Sequence, residues 1–172
     1  MIAQEVAINY PDRIMKLILA CTYACHDDES NGMTQEMVEA VKLPIRRTTI
    51  RLLDLAMNKF LFRISLLPIA KFQISRMRES EAKGLEGQRD ACLKHNALLK
   101  LSKVNAPTLV IVGTKDKAVK PSSSEVIAGK IPSARLVKVE NGSHLFPMEM
   151  SAKFNKEVMD FLKNSQMGHR NK

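Results

Sequence analysis

Residues 107–121 read Pro-Thr-Leu-Val-Ile-Val-Gly-Thr-Lys-Asp-Lys-Ala-Val-Lys-Pro, and this stretch decides the fold class. Its β-branched apolar run from Thr108 to Val112 follows a proline and ends at Gly113, which predicts a strand. An acidic residue, Asp116, stands in the polar loop that follows the strand. The stretch therefore predicts a buried strand whose C-terminal end carries a carboxylate.

The residues that follow alternate helix and strand. Pro121 in a first turn predicts a helix start, and the spacing of Ser122 and Glu125 is that of a capping box. Leu136–Val139 predicts another strand, and an apolar stripe over Pro147–Leu162 predicts a last helix. Strand, helix, strand and helix with short connections predict parallel strands, so the fold class is α/β.

The start of the chain predicts a helix, a turn and a strand. Ile2, Val6 and Tyr10 recur at a spacing of four residues on one helical face, and Pro11 ends the helix. The short, wholly apolar run Leu17–Ala20 is typical of a strand covered on both faces.

The central segment, residues 31–103, is predicted to be mostly helical, with breaks at Pro44, at Pro68 and within Gly84–Gly87. It holds fourteen Lys and Arg against seven Asp and Glu, so it carries most of the formal net charge of +9. Residues 45–59 form its basic amphipathic part. Such a helix is more often a cap with a solvated charged face than one that lies on anionic lipid.

Asp116 and His144 each follow a predicted strand within a few residues. If these strands are parallel neighbours, both loops leave the same C-terminal edge of the sheet, where open α/β sheets bind ligands. An aspartate that fixes one imidazole nitrogen leaves the other free to act as a base. The alternative is that Asp116 only satisfies a turn and His144 is a loop residue.

Three blocks of the chain resemble the α/β-hydrolase family. Residues 107–121 look like the segment that carries the triad acid, and residues 139–149, Val-Glu-Asn-Gly-Ser-His-Leu-Phe-Pro-Met-Glu, like the one that carries the triad histidine. Residues 1–19 resemble the helix and strand that follow the nucleophile elbow. The blocks occur in the family's order. The resemblance implies a partial α/β-hydrolase fold, with Asp116 as the triad acid and His144 as the base.

The same resemblance implies a division of the chain. It assigns the helix and strand after the elbow to residues 1–29, an inserted helical cap to 30–103, the C-terminal βαβα part of the core to 104–165, and a tail to 166–172. The family's Gly-x-Ser-x-Gly motif does not occur in these residues. Met1 is therefore interpreted as an internal methionine of a longer chain.

The activity implied by the resemblance is ester-type hydrolysis of a small molecule with an apolar portion, with no cofactor. Acyl transfer, carbon–carbon cleavage and haloperoxidase chemistry share this framework and stay open. The chain alone is expected to be inactive, because its nucleophile is missing. Two alternatives stay open. The chain is a non-catalytic pseudo-hydrolase that binds a ligand, or it is one half of a split enzyme whose partner chain supplies the front of the fold.

Other classes have little support in the sequence. Cys21, Cys25, His26, Cys92 and His95 fit no common zinc module, so no metal site is expected. Aromatic platforms for nucleic acid are lacking, and no stretch has the roughly 20 apolar residues of a membrane span. Three cysteines are too few for a disulfide framework, which favours a cytoplasmic setting.

Overall fold

The sheet is three-stranded and parallel. The computed structural model describes residues 1–25, 32–57 and 60–163, with side chains from residue 64 onward in the last range. Its strands are β1 (Leu17–Ala20), β2 (Thr108–Gly113) and β3 (Ala134–Val139), in the order β1-β2-β3. The predicted α/β class and parallel pairing are confirmed, and β3 begins two residues before the predicted Leu136.

Helices flank this sheet on both faces. The α-helices are α1 (Ile2–Asn9), α2 (Gln35–Val41), α3 (Ile45–Ala56), α4 (Phe60–Ser75), α5 (Glu79–Lys94), α6 (Pro121–Lys130), α7 (Phe146–Glu149) and α8 (Ser151–Lys163), with 3₁₀ turns at Pro11–Arg13 and Leu98–Lys103. Every residue of β2 is buried, because side chains alternate between two covered faces. Val110 packs with α1 and α6, while Leu109 and Ile111 pack on the side of α8.

The predicted breaks at Pro68 and within Gly84–Gly87 are wrong. Helix α4 continues through Pro68, and α5 continues through both glycines. A proline removes one helical hydrogen bond, but the carbonyl four residues earlier belongs to the exposed Ile64, where water can satisfy it. Each glycine costs only about 1 kcal/mol of helix stability, which the good helix formers around it offset.

Two details of the C-terminal part also differ from prediction. The capping box is wrong, because Lys120 is the N-cap and Ser122 already lies in the first turn. The predicted last helix is two helices, α7 and α8, separated at Met150. Its apolar stripe does pack against the sheet, as Phe154 and Val158 contact the cluster around Ile111.

The central helical segment is tied to the sheet at both of its ends. Met33 forms a bridge with Val119, and the backbone N–H of Thr34 donates to the carbonyl of Ala118 at 3.1 Å. At the other end, the N–H of Ala97 donates to the carbonyl of Ala24 at 2.7 Å. The segment is therefore fixed over the C-terminal edge of the strands. The predicted boundary at 29/30 and the tail at 166–172 lie outside the described residues.

One side of the molecule presents apolar groups and an open strand edge. Within the described ranges, no strand pairs with the free edge of β1. The predicted stripe on α1 faces outward, with Ile2 83%, Val6 38% and Tyr10 62% exposed, while Gln4, Ala7 and Ile8 are the buried residues. An exposed apolar face beside an open edge favours association with other chains.

We expect the isolated 172-residue chain to self-associate through this side. Replacing Ile2 and Val6 together by lysine should shift the protein toward monomer in size-exclusion chromatography with light scattering, because charges oppose burial of the face. Met159→Lys, a change at an exposed apolar residue on α8, is the control and should have no such effect. A wild-type chain that elutes as a monodisperse monomer with one cooperative melt would contradict this expectation.

Candidate active site

The structure brings Asp116 and His144 together at the C-terminal edge of the sheet. Asp116 Oδ2 lies 2.8 Å from His144 Nδ1, although 28 residues separate them in the chain. The Asp116 side chain is fully buried, while that of His144 is 29% exposed. Because a carboxylate can only accept, Nδ1 carries the shared proton, and Nε2 of the neutral ring is left as an acceptor.

The backbone fixes the Asp116 carboxylate from its other side. Its Oδ1 accepts hydrogen bonds from the backbone N–H groups of Ala118 at 2.8 Å and Val119 at 2.9 Å. Both donors belong to the loop that the central helical segment contacts through Met33 and Thr34. The carboxylate is therefore held in one orientation by its own loop, as the turn interpretation of Asp116 predicts, and it also binds His144.

Two glycines allow the loops after β2 and β3 to meet. A Cβ atom on Gly113 would lie 2.3 Å from the carbonyl oxygen of Gly142, which is far inside van der Waals contact. The N–H of Lys115 donates to the same carbonyl at 2.8 Å, and Asn141 takes a positive φ of 58°. This backbone contact sets the distance between the loops that carry Asp116 and His144.

The histidine loop is also tied on its C-terminal side. Buried Ser143 donates its hydroxyl to the carboxylate of Glu149, and the N–H of Leu145 donates to Ser143 Oγ at 3.1 Å. The same N–H lies 3.0 Å from the carbonyl of Ala56, at the end of α3. Ser143 is thus a structural residue of the loop.

Cys21 is the neighbour that sequence reasoning undervalued. It follows β1 directly, takes a positive φ of 47°, and its N–H donates to the carbonyl of Ile111 at 3.0 Å. Burial and the negative charge of Asp116 raise the pKa of the Cys21 thiol to about 12. The side chain is therefore a protonated thiol at neutral pH and a poor nucleophile. The sequence signal for Cys21 was its position directly after the apolar run Leu17–Ala20, because this strand end lies at the same edge of the sheet as Asp116.

Cys21, Asp116 and His144 are the one group of three potential metal ligands among the residues that the structure describes, with ligand atoms within 4.8 Å of one another. Asp116 Oδ1 accepts from two backbone N–H groups and Oδ2 lies 2.8 Å from His144 Nδ1, so both oxygens already have partners within the protein. Of the described zinc candidates from the sequence, Cys21 belongs to this group, and Cys25, Cys92 and His95 do not. His95 instead bonds to buried Gln4 at 2.9 Å, and burial lowers its pKa. His26 lies outside the described residues.

An apolar cavity of about 290 Å³ opens beside His144. It lies between the sheet edge and the central helices, and its apolar lining includes Met33, Met37, Val41, Ile45 and Leu52. Arg89 and Gln88 of α5 supply polar atoms to its wall. A cavity with a mostly apolar lining next to an Asp–His pair suits a small molecule with an apolar portion.

Comparison with known proteins agrees with this architecture. A family model described as alpha/beta hydrolase fold matches residues 1–150. The enzyme MGS-M2, an alpha/beta hydrolase from a deep-sea metagenome library of the Medee basin, superposes with a TM-score of 0.81 at 16% identity, over 99% of this chain and 64% of its own. An enol-lactonase from Burkholderia xenovorans LB400 gives a TM-score of 0.74 at 21% identity, over 94% and 61%.

Curated relatives match over shorter or less similar stretches. The monoacylglycerol lipase abhd6-A of Xenopus laevis is 34% identical over 79 residues, which are 46% of this chain and 23% of the lipase. The proline iminopeptidase PfmaB of Pestalotiopsis fici is 25% identical over 182 residues, 94% of this chain and 63% of that protein. The chain thus spans less than two thirds of each protein compared.

Gly113→Ala should strongly destabilise the protein, because the new methyl group meets the backbone of Gly142 rather than a movable side chain. We expect the free energy of unfolding to fall by about 3 kcal/mol or more in urea titrations. Gly129→Ala is the matched control, since this helical glycine has open space around it and the change should stabilise by about 0.5 kcal/mol. Equal effects of the two substitutions would contradict the close approach of the loops.

Cys21 should be alkylated slowly. With a pKa near 12, its thiolate fraction at pH 8 is roughly 10³-fold below that of an ordinary cysteine, and burial restricts access further. In timed iodoacetamide labelling with peptide mass spectrometry, the half-buried Cys92 should react first and Cys21 much later. Rapid modification of Cys21 in folded protein would show that its thiol is neither buried nor protonated as described.

Proposed function

The chain belongs to the α/β-hydrolase fold family, and we propose that Asp116 and His144 are the acid and the base of a Ser-Asp-His triad for ester-type hydrolysis. The observation that carries this proposal is the 2.8 Å contact of Asp116 Oδ2 with His144 Nδ1, with Oδ1 held by two backbone N–H groups. An aspartate that served only the turn would need the two backbone hydrogen bonds to Oδ1, but not the contact between Oδ2 and His144.

In the proposed mechanism, His144 Nε2 removes the proton of a serine hydroxyl as the serine attacks the ester carbonyl. The imidazolium then gives this proton to the leaving alcohol, and a water molecule repeats the sequence to release the acid. Asp116 keeps the ring in the tautomer with Nδ1–H and stabilises its positive charge. The partial exposure of His144 toward the cavity leaves Nε2 accessible to both groups.

The proposed substrate is a small ester or lactone whose apolar portion occupies the cavity beside His144. The lining by Met33, Met37, Val41 and Leu52 supports an apolar acyl or alcohol group. The names of the compared lipase and enol-lactonase, which describe those proteins, agree with ester-type chemistry. No cofactor takes part in this mechanism, because the triad supplies nucleophile, base and acid.

The proposed nucleophile lies outside these 172 residues, which contain no Gly-x-Ser-x-Gly motif. We therefore propose that the isolated polypeptide is inactive and that its active form includes the front of the fold, in the same chain or in a partner chain. The exposed apolar face of α1 and the free edge of β1 support such a partner. Free Cys21, Cys25 and Cys92 support a reducing, cytoplasmic setting.

The isolated chain should not react with a serine-directed fluorophosphonate probe and should not hydrolyse short-chain p-nitrophenyl esters above the rate in buffer. Gel fluorescence and absorbance measure these outcomes, with His144→Ala as the control. Labelling that disappears in His144→Ala would refute the absence of a nucleophile. The pseudo-hydrolase alternative would be favoured by two results together. An apolar ester would bind equally well to the His144→Ala variant, and no longer form of the protein would hydrolyse it.

A test of the triad needs the longer protein, so the first step is to sequence the DNA upstream of the Met1 codon and to translate it in frame. If it encodes Gly-x-Ser-x-Gly, the longer protein should hydrolyse esters, and Asp116→Asn or His144→Ala should lower kcat by roughly 10³- to 10⁴-fold. Glu149→Gln, which alters the neighbouring loop without touching the pair, should cost far less. Full activity in His144→Ala would exclude the proposed base, and a stop codon close upstream would direct the search to a partner chain.

A further inference from the structure

Three side chains, one from beyond the end of each strand, meet at the C-terminal edge of the sheet. The sulfur of Cys21, a carboxylate oxygen of Asp116 and a ring nitrogen of His144 all lie within 4.8 Å of one another. Cys21 follows β1 directly, whereas Asp116 follows β2 and His144 follows β3. The thiol therefore approaches the Asp–His pair from the third strand of the sheet.

The thiol of Cys21 carries its proton at neutral pH. Burial raises the pKa of this thiol to about 12, and both the negative charge of Asp116 and its hydrogen bond with the thiol act in the same direction. A hydrogen bond with the backbone of Gly113 opposes the increase. Because an ionised carboxylate can only accept, the thiol is the donor in its contact with Asp116.

The Asp116 carboxylate has room for this donor. Its two oxygens offer about four lone-pair positions. The N–H groups of Ala118 and Val119 use two of them on Oδ1, and His144 Nδ1 uses one on Oδ2. The side chain is fully buried, so a further partner has to come from the protein more readily than from bulk water. A donor on the side of β1 completes the set.

The backbone of Cys21 takes an uncommon conformation that places a side chain at this point. Its φ of 47° lies in the left-handed region, which few residues other than glycine adopt. Glycine would take the same conformation at lower cost, but it would present no thiol to Asp116. Residues in sparsely populated conformations cluster at active sites, and the sulfur of this one lies beside the Asp–His pair.

We propose that Cys21 is a positioning residue of the triad, whose thiol donates a hydrogen bond to the Asp116 carboxylate and fixes it opposite His144. This inference rests on the proposed function, in which Asp116 stabilises the imidazolium of His144 without accepting its proton. The additional donor stabilises the negative charge of the carboxylate and limits its rotation. Proton transfer to His144 Nε2 then starts from an aligned pair.

The competing interpretation is that Cys21 only fills space. It belongs to the buried apolar cluster around Leu109, Ile111 and Phe146, and buried cysteine often behaves as a small apolar residue. The two interpretations predict opposite orders for two substitutions. A space-filling residue tolerates Cys21→Ala better than Cys21→Ser, because serine would bury a hydroxyl. A donor tolerates Cys21→Ser better, because the hydroxyl can still donate to Asp116.

The hydrogen bond is tested in the 172-residue chain by infrared spectroscopy of the S–H stretching band. Cys25→Ala with Cys92→Ala leaves Cys21 as the only cysteine. We expect its band at a lower frequency in the folded protein than in urea, because a carboxylate is a stronger acceptor than water. In this background Asp116→Asn should raise the frequency, since an amide is neutral, whereas Glu149→Gln is the control and should leave it unchanged.

Two spectroscopic results would overturn the proposal. A band at the same frequency in folded and unfolded protein would exclude a strong acceptor for the thiol, and this comparison needs no change at Asp116. A band that does not move in Asp116→Asn would assign the thiol proton to another acceptor.

The positioning role is tested in the longer, active protein. Cys21→Ala should lower kcat roughly tenfold with little change in KM, because the lost donor acts on the Asp–His pair rather than on substrate binding. Cys21→Ser should restore kcat to within about threefold of the wild type. Cys25→Ala, at another buried free cysteine, is the matched control and should keep full activity. Full kcat in Cys21→Ala, or lower kcat in Cys21→Ser than in Cys21→Ala, would refute the role.

Failure of this inference can be told apart from failure of the proposed function. If His144→Ala abolishes the activity of the longer protein while Cys21→Ala does not lower it, the triad stands and the role of Cys21 is refuted. If the longer protein has no hydrolytic activity, the proposed function fails, and the positioning role fails with it even where the infrared band confirms the hydrogen bond.

Discussion

Much of this structure depends on a contact between two backbones, where the loops after β2 and β3 approach each other at Gly113 and Gly142. No side chain fits between them, so the loops are held by carbonyl and N–H groups whose positions vary little. The Asp116–His144 distance follows from this contact. The pair can therefore be aligned before any ligand binds, which is the condition under which proton transfer by a positioned base is effective.

The central helices extend this constraint to the cavity. Thr34 and Met33 bond to Ala118 and Val119, whose N–H groups hold the Asp116 carboxylate, so the central helices and the acid are attached to the same loop. The cavity beside His144 is lined from both sides, by the sheet edge and by α2 and α3. Met37, Val41 and Leu52 line this cavity, while Met33 both lines it and pairs with Val119, whose N–H holds the Asp116 carboxylate.

The sequence predicted the parts of the fold that depend on local apolar pattern and on order along the chain. β2, the parallel pairing and the meeting of Asp116 with His144 follow from strand runs and from the shared edge of parallel strands. The course of α4 through Pro68 and the left-handed backbone of Cys21 could not be predicted. Both depend on tertiary surroundings: water access at Ile64 in one case, and loop packing after β1 in the other.

The hydrogen bond from the N–H of Leu145 to the carbonyl of Ala56 has a consequence for protein engineering. It joins the residue after His144 to the last turn of α3, so the inserted helices contribute a main-chain acceptor to the histidine loop. A helical segment grafted from another protein that lacked a carbonyl at this point would leave the N–H of Leu145 with Ser143 Oγ as its acceptor. Exchange of such helices is therefore limited by backbone geometry at this position, and not by side-chain compatibility alone.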